Sequence, residues 1–182
     1  MKAVLLTNHG GPEMLRYGEA PDPTAGPGEV VVDVYASSVN AADSEVRQGG
    51  GRYTLNQFPH ILGRDFSGVV STLGERVTEF AVGDEVFGVT DQGVEGAYAE
   101  NIAIKATLLA RKPERLSHAE AAALGLTSLT AFTAINDTAY LKAGQTILVQ
   151  GGAGGCGLCC AVEQALGSNC HYDCKRQQSC LR

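Results

Sequence analysis

Thr146-Ile147-Leu148-Val149-Gln150-Gly151-Gly152-Ala153-Gly154-Gly155-Cys156-Gly157 sets a short apolar run directly against a glycine-rich loop. Thr146 to Gln150 has the length and β-branched content of a buried strand. The glycines behind it let the backbone turn tightly and approach a ligand with no side chain between them. A helix is expected next, from Gly157 towards Gly167, and the amides that open such a helix offer donors and a positive dipole end to a pyrophosphate. Strand, glycine loop and helix in that order is how a doubly wound nucleotide-binding domain begins. Gly152, Gly154 and Gly157 fit G-x-G-x-x-G, a weak signal alone because many turns are glycine-rich; its position directly behind a strand strengthens it against a ligand-free turn. The candidate cofactor-binding residues are Gly152, Ala153, Gly154, Gly155, Cys156 and Gly157.

Upstream, Lys142-Ala143-Gly144-Gln145 reads as a turn, and Thr127 to Tyr140 as a helix with apolar residues about one turn apart. Ser117-His118-Ala119-Glu120 fits a capping box that starts an earlier helix through Ala121-Ala122-Ala123-Leu124. Between Met14 and Leu109 the pattern is of short β-type runs broken by Gly, Pro, Asn and Asp: Glu29 to Ala36, Phe66 to Thr72 and Ala97 to Ile104. Strands of that length separated by turns suggest a compact barrel or sandwich. Pro21, Pro23 and Pro27 mark a surface crossing, since proline is excluded from central strands. The fold class is therefore α/β overall, an all-β unit followed by the opening of a nucleotide-binding unit.

A net charge of -6 over 182 residues, with no basic stripe, argues against nucleic acid and anionic membranes as partners. Met1 to Thr7 ends at Asn8-His9-Gly10-Gly11, too early for a signal-peptide core, and reads as a first strand. No segment approaches the ~18 apolar residues of a membrane span. A soluble, cytoplasmic protein is expected. All six cysteines lie from Cys156 onward, a distribution unlike that of a disulfide framework.

Several ordered motifs carry a family resemblance. Gly10-Gly11-Pro12-Glu13, Pro27-Gly28-Glu29-Val30, Ser37-Ser38-Val39-Asn40-Ala41-Ala42-Asp43, Leu62-Gly63-Arg64-Asp65-Phe66-Ser67-Gly68 and Gly83-Asp84-Glu85-Val86 precede the glycine loop. In this order they resemble the zinc-free quinone oxidoreductase branch of the medium-chain dehydrogenase/reductases over residues 1–158. Gly152 stands in place of the family's first loop alanine, and Cys156 in place of its valine. The resemblance implies a GroES-like β-barrel domain over 1–120, the start of an incomplete Rossmann NADP-binding domain over 121–167, and a non-native or irregular tail over 168–182. It implies NADPH as cofactor, a small quinone or enone as substrate, and a homodimer in full-length members. It also carries over Asn40 and Thr130 as residues lining the nicotinamide and substrate site, and Tyr53 as a tyrosine near its mouth. Read without the family, Asn40 is an N-cap for Ala41 to Gln48, Thr130 a helix residue and Tyr53 a loop aromatic.

Zinc-dependent relatives place a cysteine near the Asn40 position and G-H-E at Gly63. This chain has Asn40 and Arg64 there, so no catalytic zinc is expected. Asp65 is left to pair with Arg64 or cap a turn, and His9, His60, His118 and His171, isolated in sequence, to surface or packing roles. Hydride donation to an already electrophilic carbon then suits the site better than alcohol oxidation. The rival readings are a non-catalytic fragment of such an enzyme, or a zinc module formed by Cys156, Cys159, Cys170 and Cys174.

From Ser168 to Arg182 neither strand alternation nor a helical face is evident. Each codon for Asn169-Cys170-His171-Tyr172-Asp173-Cys174 has a purine in the middle and a pyrimidine third. Read one nucleotide later, those codons specify only Ile/Thr, Val/Ala, Ile/Thr, Met/Thr, Ile/Thr and Val/Ala, a strand-forming composition. A frameshift near the end of the preceding helix is the hypothesis. Sequencing the gene across the codons for Gly155 to Arg182 in independent clones is expected to reveal a displaced frame, and an uninterrupted one would refute it.

Overall fold

Val30, Val32 and Val34 recur at every second position of one run and turn it into a strand with a buried face. The computed structural model describes residues 1–50, 55–150, 167 and 169–173, with backbone alone described for 169–173. That strand is β3 (Glu29–Ser38), preceded by β1 (Lys2–Leu6) and β2 (Leu15–Glu19) and followed by helix α1 (Ala41–Arg47). Then come β4 (His60–Ile61), β5 (Asp65–Leu73), β6 (Glu85–Val89), β7 (Asn101–Lys105) and β8 (Leu109–Arg111). Helix α2 (His118–Phe132), β9 (Thr146–Gln150) and β10 (Asn169–Asp173) complete the order.

The contacts divide the chain into two units, Met1–Gly125 and Leu126–Arg182. The first holds two antiparallel sheets, a three-stranded one ordered β2-β1-β4 and a five-stranded one ordered β7-β3-β5-β6-β8. Phe66 is fully buried at the centre of the larger core, among Val30, Val32, Val70, Val86 and Ile104. A smaller core gathers Leu6, Val46, Leu55 and Leu62. Register shifts between Val31 and Val32 and between Val34 and Ala36 bend β3 against β5, as extra residues on one strand of a ladder do.

Two expectations change in this unit. The strand expected from Ala97 begins only at Asn101, because Ala97 to Glu100 are drawn off to β1: the Val4 amide donates to Tyr98 O at 2.8 Å and the Glu100 amide to Lys2 O at 3.0 Å. The two helices expected after Pro113 are one, α2, which runs unbroken through Gly125. Gly125 serves close packing there rather than termination, since a Cβ at that position would lie 2.9 Å from Asp65 Oδ1.

In the second unit α2 passes into a π-helical turn over Thr133–Thr138, where the Ala139 amide reaches back to Ala134 O at 2.9 Å. β9 and β10 pair in parallel, in register from Thr146 with Asn169 to Gln150 with Asp173. The irregular tail expected over 168–182 thus holds a strand at Asn169–Asp173; main-chain groups alone make a ladder, so side-chain alternation is not required of it. Among the described residues, no helix is long and apolar enough to cross a membrane.

Phe66→Ala is expected to lower the unfolding free energy by about 3–5 kcal/mol, as loss of a fully buried ring does. Val94→Ala, at a side chain 68% exposed, should stay within about 0.5 kcal/mol of the parent. Urea unfolding of both variants checks the contrast.

Candidate active site

Asn40 stands where β3 hands the chain to α1, with the extended backbone (φ -109°, ψ 154°) of an N-cap. Its amide N–H donates to Asp43 Oδ2 at 2.7 Å, the reach-back half of a capping box. Its side chain faces the Asp43 backbone amide to complete the box, and Nδ2 donates to Asp65 Oδ2 at 2.8 Å. The Ser38 hydroxyl donates to the same oxygen at 2.6 Å, because the β3–β5 register sets Ser38 opposite Asp65. Asp65 and Asp43 are both buried.

Tyr98 closes this arrangement by donating its hydroxyl to Asp43 Oδ2 at 2.8 Å. Burial, then the hydrogen bond to Asp43, pushes the phenol well above its ordinary value and keeps it a donor. The ring lies so close to Gly63 that a Cβ there would come within 2.4 Å of it, and Gly63 has φ +93°, so glycine is demanded twice over.

Arg64 and Asp65 take separate partners where a mutual ion pair or a turn cap was expected. The guanidinium donates to Thr90 O through Nε at 3.1 Å and Nη2 at 2.7 Å. Asp65, the first residue of β5, receives Ser38 and Asn40. Thr130 is exposed on α2 in the second unit, its hydroxyl donating to Leu126 O at 2.8 Å. Tyr53 and the loop residues Gly152, Ala153, Gly154, Gly155, Cys156 and Gly157 lie outside the described residues.

Three of the histidines have structural partners. His9 sets its two ring nitrogens 3.1 Å from Val46 O and 3.2 Å from Leu55 O. His118 Nδ1 lies 2.8 Å from Ser67 Oγ and its Nε2 3.5 Å from Glu85, an order of residues that resembles a hydrolytic triad. Ser67 is fully buried and its hydroxyl donates to Val86 O, which leaves no access for a substrate. His60 Nε2 meets Glu95 Oε2 at 3.0 Å beside a cavity of about 320 Å³. His171 lies in β10, where only backbone is described. Among the described residues, no group of three or more His, Cys, Asp or Glu could hold a metal ion.

Sequence reasoning passed over Ser38, Asp43 and Tyr98. Asn40-x-x-Asp43 is a capping pattern that could have singled out Asp43. Ser38 and Tyr98 join only through strand register and a long-range approach, which leave no local signal.

Residues 26–114 match the alcohol dehydrogenase GroES-like domain. Human quinone oxidoreductase is 33% identical over 170 residues, an alignment that takes in 92% of this chain and 50% of the relative. The chain is quinone oxidoreductase-like in sequence and fold over the part of these medium-chain dehydrogenase/reductases that it spans. A solved alcohol dehydrogenase superfamily protein from Novosphingobium aromaticivorans superposes with a TM-score of 0.88 at 36% identity, covering 94% of this chain and 52% of that one. The quinone oxidoreductase of Coxiella burnetii gives 0.85 at 30% identity, covering 94% and 56%. The chain spans about half the length of the curated relatives it matches. This likeness fits the observed architecture, a GroES-like all-β unit followed by the parallel opening of a Rossmann sheet.

Burial holds the Glu95 carboxyl above its ordinary range and His60 below its own. A raised carboxyl costs stability as pH climbs from its unfolded value through its folded one. A depressed imidazole costs stability as pH falls from its unfolded value through its folded one. Glu95→Gln keeps the shape and removes the first cost alone. Its melting temperature relative to the parent should therefore be higher at pH 7.5 than at pH 4.5, as read by thermal unfolding at the two pH values. An equal difference at both would show that the Glu95 carboxyl carries no such cost.

Proposed function

We propose that this chain is part of an oxidoreductase that transfers hydride from NADPH to a quinone or an activated alkene, with no catalytic zinc. Arg64 carries the proposal. It occupies the position where zinc-dependent relatives have the histidine of G-H-E, and it is a guanidinium bonded to Thr90 O. A guanidinium has no lone pair for a metal and repels one by charge. Asn40, at the cysteine position, offers an amide already tied to Asp65. These donors do not fit zinc, which calls for thiolate, imidazole or carboxylate ligands. An acceptor that is electrophilic without a Lewis acid fits such a site.

For the nicotinamide cofactor the residues do fit. Ligands of parallel sheets lie beyond the carboxyl ends of the strands, and β9, paired in parallel with β10, ends at Gln150, which Gly151 to Gly157 follow in sequence. When bound, NADPH supplies the hydride. Gly152, Ala153, Gly154, Gly155, Cys156 and Gly157 would hold its pyrophosphate through backbone amides. Asn40, Tyr53 and Thr130 would orient the nicotinamide and the acceptor and keep water away, the first two from a catalytic domain over 1–120 and Thr130 from the cofactor domain over 121–167.

The alternative is a chain that folds but does not bind cofactor. Among the described residues the second unit has a two-stranded parallel sheet, which favours it, because a pair of strands offers little surface to cover an adenosine. Fluorescence titration of the 182-residue chain with NADPH, followed by NADPH consumption with a simple benzoquinone or enone, separates the two. Saturable binding with turnover is the expected result. A folded chain that leaves NADPH fluorescence unchanged would overturn it.

A further inference from the structure

We infer that Arg64 is a catalytic residue, whose guanidinium receives the carbonyl oxygen of the acceptor and stabilises the negative charge that hydride transfer leaves on it. The inference rests on the quinone or enone reading proposed above. Arg64 and Thr90 stand one rung beyond the β5–β6 ladder, in which Asp65 pairs with Val89. The Thr90 amide donates to Arg64 O at 3.0 Å, and the Arg64 side chain returns to the same residue, with Nε at 3.1 Å and Nη2 at 2.7 Å from Thr90 O. Both bonds use one edge of the planar fork and fix its orientation. The other edge, Nη1 with the remaining N–H of Nη2, has no partner among the described residues.

Arg64 is half-buried, and a guanidinium withdrawn from water calls for a counter-charge. The acids on the segments around it have other partners. Asp65 accepts from Ser38 and Asn40, Glu85 pairs with Lys112, Asp91 with Lys105 and Glu95 with His60. A fixed cation with an open donor edge and no counter-ion is a preorganised stabiliser of negative oxygen. The buried carboxylates of Asp65 and Asp43 oppose a ligand that enters as an anion. An oxygen that is neutral on entry and charged only during the reaction suits both conditions. Hydride forms a bond to the electrophilic carbon of the acceptor, the conjugated electron pair moves onto its oxygen, and NADPH is left as NADP⁺. Arg64 holds the resulting enolate or quinol anion through its open edge and keeps its own protons. Water then protonates the anion and completes the reduction.

4-Nitrophenol, whose ionised form resembles that oxygen and absorbs visible light, reads the site without NADPH. The full 182-residue chain should bind the phenolate roughly tenfold tighter than the phenol, seen as a rise in phenolate absorbance on adding protein. Arg64→Gln should abolish the preference, and Arg64→Lys, which keeps the charge without the fork, should retain only part of it. Absence of the preference in the parent overturns the inference whether or not the variants fold. So does a preference that survives in folded Arg64→Gln. In turnover of NADPH with a simple benzoquinone, Arg64→Gln should lower kcat by roughly a hundredfold and leave KM nearly unchanged, because the contact strengthens only as charge develops. An unchanged kcat in that variant overturns the catalytic role. A phenolate preference lost in Arg64→Gln, with NADPH neither bound nor consumed by the parent, supports the oxygen site and overturns the cofactor reading instead.

Discussion

A carboxylate shut away from water is tolerable only where donors surround it, and Asp65 imposes that condition on everything near it. Ser38 and Asn40 meet it, and they can do so only if β3 ends opposite the start of β5. The ladder register, the exit of β3 into α1 and the close approach of α2 at Gly125 all converge on this one side chain. Next along the chain, Phe66 points to the opposite face and anchors the larger core. Adjacent residues of one strand thus serve the site and the stability of the sheet, and a slip of one residue would exchange them.

The second acid of the site is held in a complementary manner. Asp43 receives the Asn40 amide from within its own helix and the Tyr98 hydroxyl from a segment that crosses over to β1. Local capping and long-range packing therefore agree on where Asn40 sits. That agreement fixes a half-exposed polar residue as firmly as a core residue, a condition for presenting a defined atom to a ligand.

Period and composition made much of the fold legible. The valines of β3, the run before the glycine loop and the Asn40 cap announced their elements, because burial of one face or satisfaction of one helix end is written locally. The helix through Leu124 and the one from Thr127 were read as two, since sequence alone does not reveal that Gly125 between them makes room for Asp65 within one helix. Arg64 and Asp65, neighbours of opposite charge, suggested a pair, yet the guanidinium turns to Thr90 O and the carboxylate to Ser38 and Asn40. β10 escaped notice because a parallel ladder draws on main-chain groups, which every residue except proline supplies in the same way.

The parallel pairing of β9 and β10 also bears on how the protein behaves at high concentration. Among the described residues, these strands pair only with each other, and the far side of each carries main-chain donors and acceptors that no described strand meets. Leu148, 62% exposed on β9, adds an apolar side chain to one face of the pair. A net charge of -6 opposes such self-association by mutual repulsion, and added salt screens the repulsion. Charge and strand edge thus act in opposite directions on self-association, and salt concentration sets the balance between them.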